Sequence, residues 1–339
     1  MDPGETRHGS DKAGLLCGYL FAPGHAGREV DADAAATAIE ARRTDGGDAF
    51  LWLHFNLANQ ASRRWLDQSL PLPDAFYSSI DHTTTSSTRV EIAEQWLIAV
   101  LNDVTVFGLD ASTVSTMALC VGDGLLISAR HTPLRSVDRL RASVKRGERF
   151  RSAVELLAHL LRDQADVLVQ IVREATRQVD HIEDAMMAGR ITSSRAELGA
   201  LRRTLVRLQR LLAPEPAALF RLLNKPPGWI AADDLQDLRE SAEELAAALT
   251  DSIALVERAR LLQEELVAIV NERTGKTLFI LTIVTVVTLP MTIVSGLFGM
   301  NVGGIPFQSH SAGFWIVLAI VAALAGLGAA LAIRTSRES

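Results

Sequence analysis

The sequence has only two cysteines among its 339 residues, Cys17 and Cys120, and both stand in apolar stretches. Two isolated thiols do not form a zinc cage, so we expect both to be buried core residues of a protein kept in a reducing compartment. The sequence also lacks a phosphate-binding loop, a nucleophile elbow and a metal-hydrolase spacing. We therefore predict that the chain is not an enzyme.

A clustered basic surface is also missing, since 34 lysines and arginines are scattered among 40 aspartates and glutamates, for a formal net charge of −6. Nucleic acid is therefore not an expected partner. Residues 1–12 are polar and lack the basic flank and apolar core of a secretory signal. We expect these twelve residues to be disordered and the N-terminus to stay in the cytoplasm.

Charged side chains are absent from residues 277–333, a run of 57 positions without lysine, arginine, aspartate or glutamate. Residues 278–298 and 314–333 are each about twenty apolar residues long, the length that an α-helix needs to cross the hydrocarbon core. Residues 299–313 between them contain glycines and a proline that predict a short loop. The chain is thus predicted to end in a membrane hairpin.

Basic residues flank both predicted spans, because Arg273 and Lys276 precede the first and Arg334 and Arg337 follow the second. The positive-inside rule predicts that both termini are cytoplasmic, that the loop faces outward and that residues 334–339 form a cytoplasmic tail.

Upstream of the spans, residues 13–150 alternate strand and helix signals and predict a cytosolic α/β domain. Trp52, His54 and Asn56 alternate along one predicted strand and its end, where they are either catalytic or a satisfied polar face at a strand edge. The second interpretation is favoured because no nucleophile or metal-ligand partner stands at a useful spacing. The predicted strands are 15–21, 49–55, 90–93, 96–101, 114–121 and 125–129. The predicted helices are 33–43, 133–145 and short helices within 60–81.

Residues 151–232 carry leucines at helical spacing and predict a cytosolic helical region, with an antiparallel helix pair that turns at Gly189. His181 lies near Asp180 and Asp184 in this region. It is either a metal ligand or part of a solvated helix end. Two ligands on one helical turn do not close a zinc site, which favours the second interpretation.

One helix is predicted over residues 233–298, because no proline occurs between Pro227 and Pro290. It would be roughly 100 Å long, and its final part would be the first span, kinked near Pro290. Residues spaced by three and four predict a coiled seam that needs neighbouring helices. The seam consists of Leu235, Leu238, Ala242, Leu245, Leu249, Ser252, Val256 and Ala259.

Carboxylates open this long helix and allow two interpretations. They cap the positive end of the helix dipole, or they form rings at the cytosolic mouth of a pore in a symmetric oligomer and attract cations there. The candidates for the cytosolic mouth are Asp233, Asp237, Glu240, Glu244, Glu264 and Asn271.

A water-filled path cannot be enclosed by one two-helix hairpin, since a polar face would then meet lipid, so any such path would require an oligomer. Threonines can also bond to the carbonyls of their own helix and do not prove a pore. The candidate pore-lining stripe of the first span is Leu278, Thr282, Thr285, Leu289, Thr292 and Gly296. The second span offers small residues for helix contact, namely Ala319, Ala322, Ala323, Gly326 and Ala330.

The tripeptide Gly299-Met300-Asn301 stands between the two predicted spans. A soluble part of some 276 residues, two C-terminal spans, this tripeptide and a short basic tail together resemble the CorA-type metal-ion transporter family. Residues 302–306, with the sequence Val-Gly-Gly-Ile-Pro, are similar to the zinc-transporting ZntB branch. Magnesium-transporting members typically have a carboxylate there, and this chain has none.

The resemblance implies an α+β membrane protein whose cytosolic domain and long stalk helix form a funnel-shaped homopentamer in the bacterial inner (plasma) membrane. The first span would surround the pore, and the second would pack outside it. Five Asn301 carboxamides would hold a hydrated divalent cation at the outer mouth, with zinc as the expected ion and no cofactor. Glu264 and His310 are candidates for proton coupling.

Two alternatives remain open at this point. The first is a channel-like transporter of magnesium, cobalt or nickel. The weaker one is a membrane-anchored scaffold or sensor, which needs neither the threonine stripe nor the tripeptide.

Overall fold

The structure is a computed structural model that describes residues 9–45, 47–81, 88–105, 114–189, 194–300 and 311–338. It consists of two compact units, Met1–Gln263 and Glu264–Ser339, and each is described by itself. Residues 1–8, within the predicted disordered segment, and residues 301–310, with Asn301 and His310, lie outside the described residues.

A seven-stranded sheet lies at the centre of the first unit, in the order β2-β1-β3-β7-β6-β5-β4. Neighbouring strands are antiparallel except for the parallel pair β3 and β7. The strands are β1 (Leu15–Phe21), β2 (Arg28–Glu29), β3 (Phe50–Asn56), β4 (Arg89–Ala93), β5 (Trp96–Val104), β6 (Val114–Gly122) and β7 (Leu125–Arg130).

Helices precede, separate and follow these strands; α8 extends from the first unit into the second, and α9 lies wholly in the second. The helices are α1 (Ala32–Asp45), α2 (Gln60–Ser69), α3 (Asp74–Asp81), α4 (Arg135–Lys145), α5 (Ala153–Met187), α6 (Ser194–Leu212), α7 (Pro214–Asn224), α8 (Ala232–Phe298) and α9 (Gly313–Glu338). Helix α7 forms in a proline-rich segment because its prolines stand at its first turn, where the missing N–H groups have no helical partner anyway.

Apolar side chains cover both faces of the sheet, because alternate residues of a strand point to opposite sides. In β3, Leu51 and Leu53 pack with α1, α2 and α3, whereas Trp52 packs with α4, α5, α7 and the start of α8. Cys17 and Cys120 are buried on opposite faces, as expected, and burial raises the pKa of Cys17 to about 12. The first unit is therefore a three-layer α/β/α domain.

Trp52 and His54 are satisfied polar groups, as predicted, but they do not lie at an edge, because β3 runs inside the sheet between β1 and β7. Trp52 Nε1 donates to Ser128 Oγ at 2.9 Å, and His54 Nδ1 lies 2.7 Å from the same oxygen. Arg130 Nε donates to His54 Nε2 at 3.0 Å. Burial and this guanidinium hold the pKa of His54 well below its ordinary value. The ring is therefore a neutral, satisfied core group.

The seam of α8 packs against helices of the same chain. Leu238 is buried in the core that α4 and α5 share. Ser241 Oγ donates to the carbonyl of Ala158 on α5 at 2.9 Å, and Gln209 of α6 donates to Ser252 Oγ at 3.1 Å. The neighbours that the spacing predicts are thus supplied within one subunit.

The second unit contains the membrane-spanning part of α8 and helix α9. Two helices of the described chain are long and apolar enough to cross a membrane, α8 and Gly313–Ala330, with mean hydropathies of 2.3 and 2.2 in their most apolar windows. Gly328 of α9 lies so close to α8 that an added Cβ would come within 2.7 Å of Val286 Cγ1. Close approach of the two spans therefore depends on this glycine.

In the single chain, the small residues predicted for helix contact do not pack against α8, so their contact with helices of other copies stays a prediction. The buried apolar side chains of α9 are instead Val321 and Ala325, each 8% exposed. The period of the small residues predicted a face of α9 but not which neighbour that face meets. The residues left exposed are Ala319, Ala322, Ala323, Gly326 and Ala330.

We expect Gly328→Ala to destabilise the hairpin, because the stiff Val286 side chain cannot move far enough to accept the new methyl group. The matched control is Gly326→Ala, since nothing lies within 4 Å of a Cβ at Gly326. Thermal unfolding of both variants in detergent should show a melting temperature lowered by several degrees for Gly328→Ala alone. Equal melting temperatures would contradict the close contact.

Candidate functional site

The leucine and threonine stripe of the first span is exposed along its whole length. The residues of α8 that pack inward form a different face, centred roughly 130° around the helix at about 100° per residue. This packed face consists of Phe279, Ile283, Val286, Val287, Pro290 and Val294, all half-buried. The hairpin therefore leaves uncovered the stripe of Leu278, Thr282, Thr285, Leu289, Thr292 and Gly296.

The threonine hydroxyls of this stripe bond back to their own helix. Thr282 donates to the carbonyl of Leu278 at 2.8 Å. Thr285 donates to Leu281 and Thr292 donates to Thr288, each at 2.9 Å. Because the hydroxyl hydrogen is used inside the helix, each oxygen offers only acceptor lone pairs on its exposed side.

This polarity has a chemical consequence for ions. Water molecules bound to a cation direct their oxygens to the ion and their hydrogens outward. A row of acceptor-only oxygens therefore suits a cation that keeps its hydration shell better than a hydrated anion, whose shell waters point one of their two hydrogens at the ion. The stripe can line a path for hydrated cations if other copies of the helix enclose it.

The tripeptide begins where α8 ends at Phe298. Gly299 N still donates to the carbonyl of Ser295 at 2.9 Å, and the side chain of Met300 is half exposed. Asn301, the third residue of the tripeptide, is not among the described residues, so its role stays a prediction.

The carboxylates at the start of α8 meet an arginine from the segment before α5. Arg151 lies 3.7 Å from Asp233, forms a short ion pair with Asp237 and lies 3.9 Å from Asp234. Asp234 also accepts a hydrogen bond of 2.7 Å from Ser152 Oγ. Arg151 is more than 80 residues away in the sequence, so no local pattern pointed to it. Part of the acidic charge is thus balanced within the chain.

The other candidates for the cytosolic mouth lie in different surroundings. Glu240 accepts a hydrogen bond within its own helix, and Glu244 lies 3.7 Å from Arg162 of α5. Glu264 and Asn271 are exposed residues of the second unit. The structure therefore groups Asp233 with Asp237 around one arginine and leaves the remaining candidates apart from them.

His181 is exposed near the end of α5, and its neighbour Asp180 pairs with Arg258 of α8 at 2.7 Å. Glu183 pairs with the same guanidinium at 2.5 Å. In the stretches of chain that the structure describes, no three His, Cys, Asp or Glu side chains come together as a metal-ligand set.

A buried polar cluster at the end of β5 was missed by sequence reasoning. Glu215 of α7 is fully buried, and its Oε1 accepts from the backbone N–H of Asn102 at 2.5 Å. Its Oε2 accepts from Gln164 Nε2 at 2.6 Å. Burial raises the pKa of Glu215 to about 8, so its carboxyl group holds a proton at neutral pH. A glutamate between two prolines gives no sequence signal of burial.

Two further buried side chains, Asp103 and Asn102, belong to this cluster. Asp103 is buried beside it, accepts from the hydroxyl of Ser136 at 2.6 Å, and burial raises its pKa to about 6. Within the described chain, the buried Oδ1 of Asn102 has no hydrogen-bond partner.

Comparison with known proteins gives relatives over nearly the full length. The zinc transport protein ZntB of Pectobacterium atrosepticum is 24% identical over 298 residues, 88% of this chain and 91% of that protein. The divalent cation transporter CmaX of Pseudomonas aeruginosa is 28% identical over 320 residues, 93% of this chain and 94% of that protein. The solved structure of the full-length CmaX protein has a TM-score of 0.76 at 25% identity, covering 96% of this chain and 98% of that one.

The structural match confirms the predicted fold class, with an α/β domain, a long helix and two candidate membrane helices at the C-terminal end. The family model described as CorA-like Mg2+ transporter protein matches residues 47–334, which is most of the chain. The chain therefore belongs to the family of CorA-like Mg2+ transporter proteins, and it is a divalent-cation transporter of a membrane rather than an enzyme.

Proposed function

We propose that this chain carries zinc into the bacterial cell through a central pore, formed by five copies and lined by the exposed stripe of α8. The observation that carries the proposal is the stripe itself. Its threonine oxygens offer only acceptors on a face that α9 does not cover. Lipid tails offer these oxygens no hydrogen-bond donor. In a water-filled pore, the same oxygens can accept hydrogen bonds from the water shell of a hydrated cation.

An oligomer is needed because one hairpin cannot enclose water. Large apolar side chains elsewhere on α8 also remain uncovered in the single chain. Ile253 is 57% exposed and Leu261 is 53% exposed in the first unit. Further copies would bury such residues and enclose the stripe. The number five rests on the resemblance to the CorA family.

The proposed outer mouth is a ring of Asn301 carboxamides. Neutral amide oxygens can bind the water shell of a divalent cation without removing it, and weak binding permits release into the pore. Residues 299–313 contain no carboxylate. The mouth therefore attracts cations less strongly than an acidic loop would, which argues against capture driven by electrostatic attraction alone.

Zinc is favoured over magnesium by the loop sequence at residues 302–306 and by the relatives named as zinc transport proteins. A transporter whose mouth attracts ions weakly gains from a second driving force. A proton gradient is the force we propose, with Glu264 and His310 as candidate proton carriers and both termini in the cytoplasm. Magnesium transport is the alternative that the name of the family model keeps open.

The test is ion flux into liposomes that contain the purified full chain and a trapped zinc dye or magnesium dye. We expect zinc uptake that accelerates when the outside is acidified, with clearly smaller magnesium flux. Native mass spectrometry of the same preparation should give five copies. Magnesium flux equal to or above zinc flux would contradict the proposal that zinc is the transported ion. Zinc flux that does not change with the pH gradient would contradict proton coupling.

A further inference from the structure

A basic groove lies beside α6, and nothing in the proposed transport function uses it. The groove has a volume of about 450 Å³ and takes in one side of α6 and a side chain of α8. We call it the arginine groove. The residues that matter for its chemistry are Arg202, Arg203, Val206, Arg207, Arg210 and Gln263.

The charge of α6 is unusual for this chain. The helix contains five arginines and one glutamate, a balance of +4, whereas the whole chain carries −6. Arg203, Arg207 and Arg210 follow one another at spacings of four and three, which puts like charges side by side on one helix face. Such an arrangement destabilises the isolated helix, so an anion that binds there is favoured.

In the described residues, none of the four groove arginines forms an ion pair. Arg202 donates to the amide oxygen of Gln263 at 3.2 Å, and its charge is felt at a longer distance by the carboxylate of Glu257. Arginines on neighbouring elements behave differently, because Arg151 pairs with carboxylates of α5 and α8, and Arg258 pairs with two carboxylates of α5. The groove therefore presents its positive charge to the solvent.

We propose that the arginine groove binds a soluble anion with two or more phosphate groups, such as pyrophosphate or a nucleoside triphosphate. The planar guanidinium group binds two phosphate oxygens at once, so four arginines supply enough donors for neighbouring phosphates. The volume is that of a small-molecule site. Val206, which is 42% exposed, gives the groove an apolar surface for an organic part of the ligand.

The test is equilibrium dialysis of the full chain in detergent with labelled pyrophosphate and labelled ATP, at 150 mM salt and without divalent cations. The groove variant is Arg203→Gln/Arg207→Gln/Arg210→Gln. The control variant is Arg195→Gln/Arg221→Gln/Arg239→Gln, which removes the same charge from exposed positions outside the groove. We expect binding to weaken at least tenfold in the groove variant and less than twofold in the control.

Three outcomes would overturn the proposal. One is an equal loss in both variants, which would assign binding to net charge. Another is loss of the oligomer in the groove variant with pyrophosphate binding unchanged, which would make the groove a contact between copies. The last comes from vesicles that contain cardiolipin, a lipid with two phosphates. Arginine-dependent binding to them, without binding of pyrophosphate or ATP, would assign the groove to lipid.

Discussion

Replacing Thr282, Thr285 and Thr292 together by valine should lower zinc flux at least tenfold while the protein stays folded and assembled. Valine keeps the branched shape of threonine and removes only the oxygen. In five copies the change deletes fifteen acceptors from the proposed pore wall. A hydrated cation would then cross an apolar constriction, which excludes water and raises the barrier to conduction.

The matched control for this experiment is Thr288→Val. Thr288 belongs to the same span and is also exposed, but it lies about 80° around the helix from the centre of the stripe. Its loss should leave flux unchanged. Liposome flux and size-exclusion profiles of both variants measure the effect. Full flux in the triple variant, or an equal loss in the control, would contradict the assignment of the stripe to the pore.

Glu215→Gln should make the stability of the first unit less dependent on pH between 5.5 and 8.5. The pKa of Glu215 is about 8 in the folded chain and 4.5 for the ordinary group. Between these values the unfolded chain releases the proton while the folded chain keeps it, so the free energy of unfolding falls as pH rises. Above pH 8 both states are ionised and the loss is complete. Glutamine does not titrate and lacks this dependence.

The change in the free energy of unfolding follows from the pH interval over which only the folded chain keeps the proton of Glu215. One pKa unit corresponds to about 1.4 kcal/mol, so the interval from pH 5.5 to the folded-state pKa of about 8 corresponds to roughly 3 to 4 kcal/mol at most. Glutamine offers one acceptor where the carboxyl group accepts from both Asn102 and Gln164, a loss of about 1 kcal/mol. The variant should therefore be less stable than the parent at pH 5.5 and more stable at pH 8.5.

Thermal unfolding of the full chain followed by tryptophan fluorescence measures this crossing of the two stability curves. The control is Glu243→Gln, because Glu243 is exposed on α8. Its curve should run parallel to that of the parent chain at every pH. Parallel curves for Glu215→Gln as well would show that the buried carboxyl group does not hold its proton.

Local periodicity was enough to predict most of the secondary structure of this chain. The strand at 15–21 and the long helix that starts near residue 232 were predictable, because each is specified by its own side chains and by the prolines beside it. Pairings between distant segments were not predictable. Arg151 meets Asp237 from 86 positions away, and Glu215 meets Asn102 from 113 positions away.

The same limit applies to the site. The threonine stripe is exposed in the single chain, and its place in a pore stays a prediction, whereas the face of α9 that meets α8 was not predictable from its small residues. The membrane-spanning part of α9 consists of apolar and small residues and has several faces of similar composition. The face that meets α8 is distinguished by the close approach of Gly328 to Val286 and by the burial of Val321 and Ala325.

Hydrogen bonds and ion pairs connect α5, with the residues just before it, to α8 at two separate places. Ser152 and Arg151 hold Asp234 and Asp237 near the start of both helices, and Arg258 of α8 holds Asp180 and Glu183 near the end of α5. If one helix slid past the other by a single turn, every partner would move by about 5 Å, and both sets of ion pairs would break at once. The two sets of contacts therefore favour movement of α5 and this part of α8 as one body over sliding of one helix along the other.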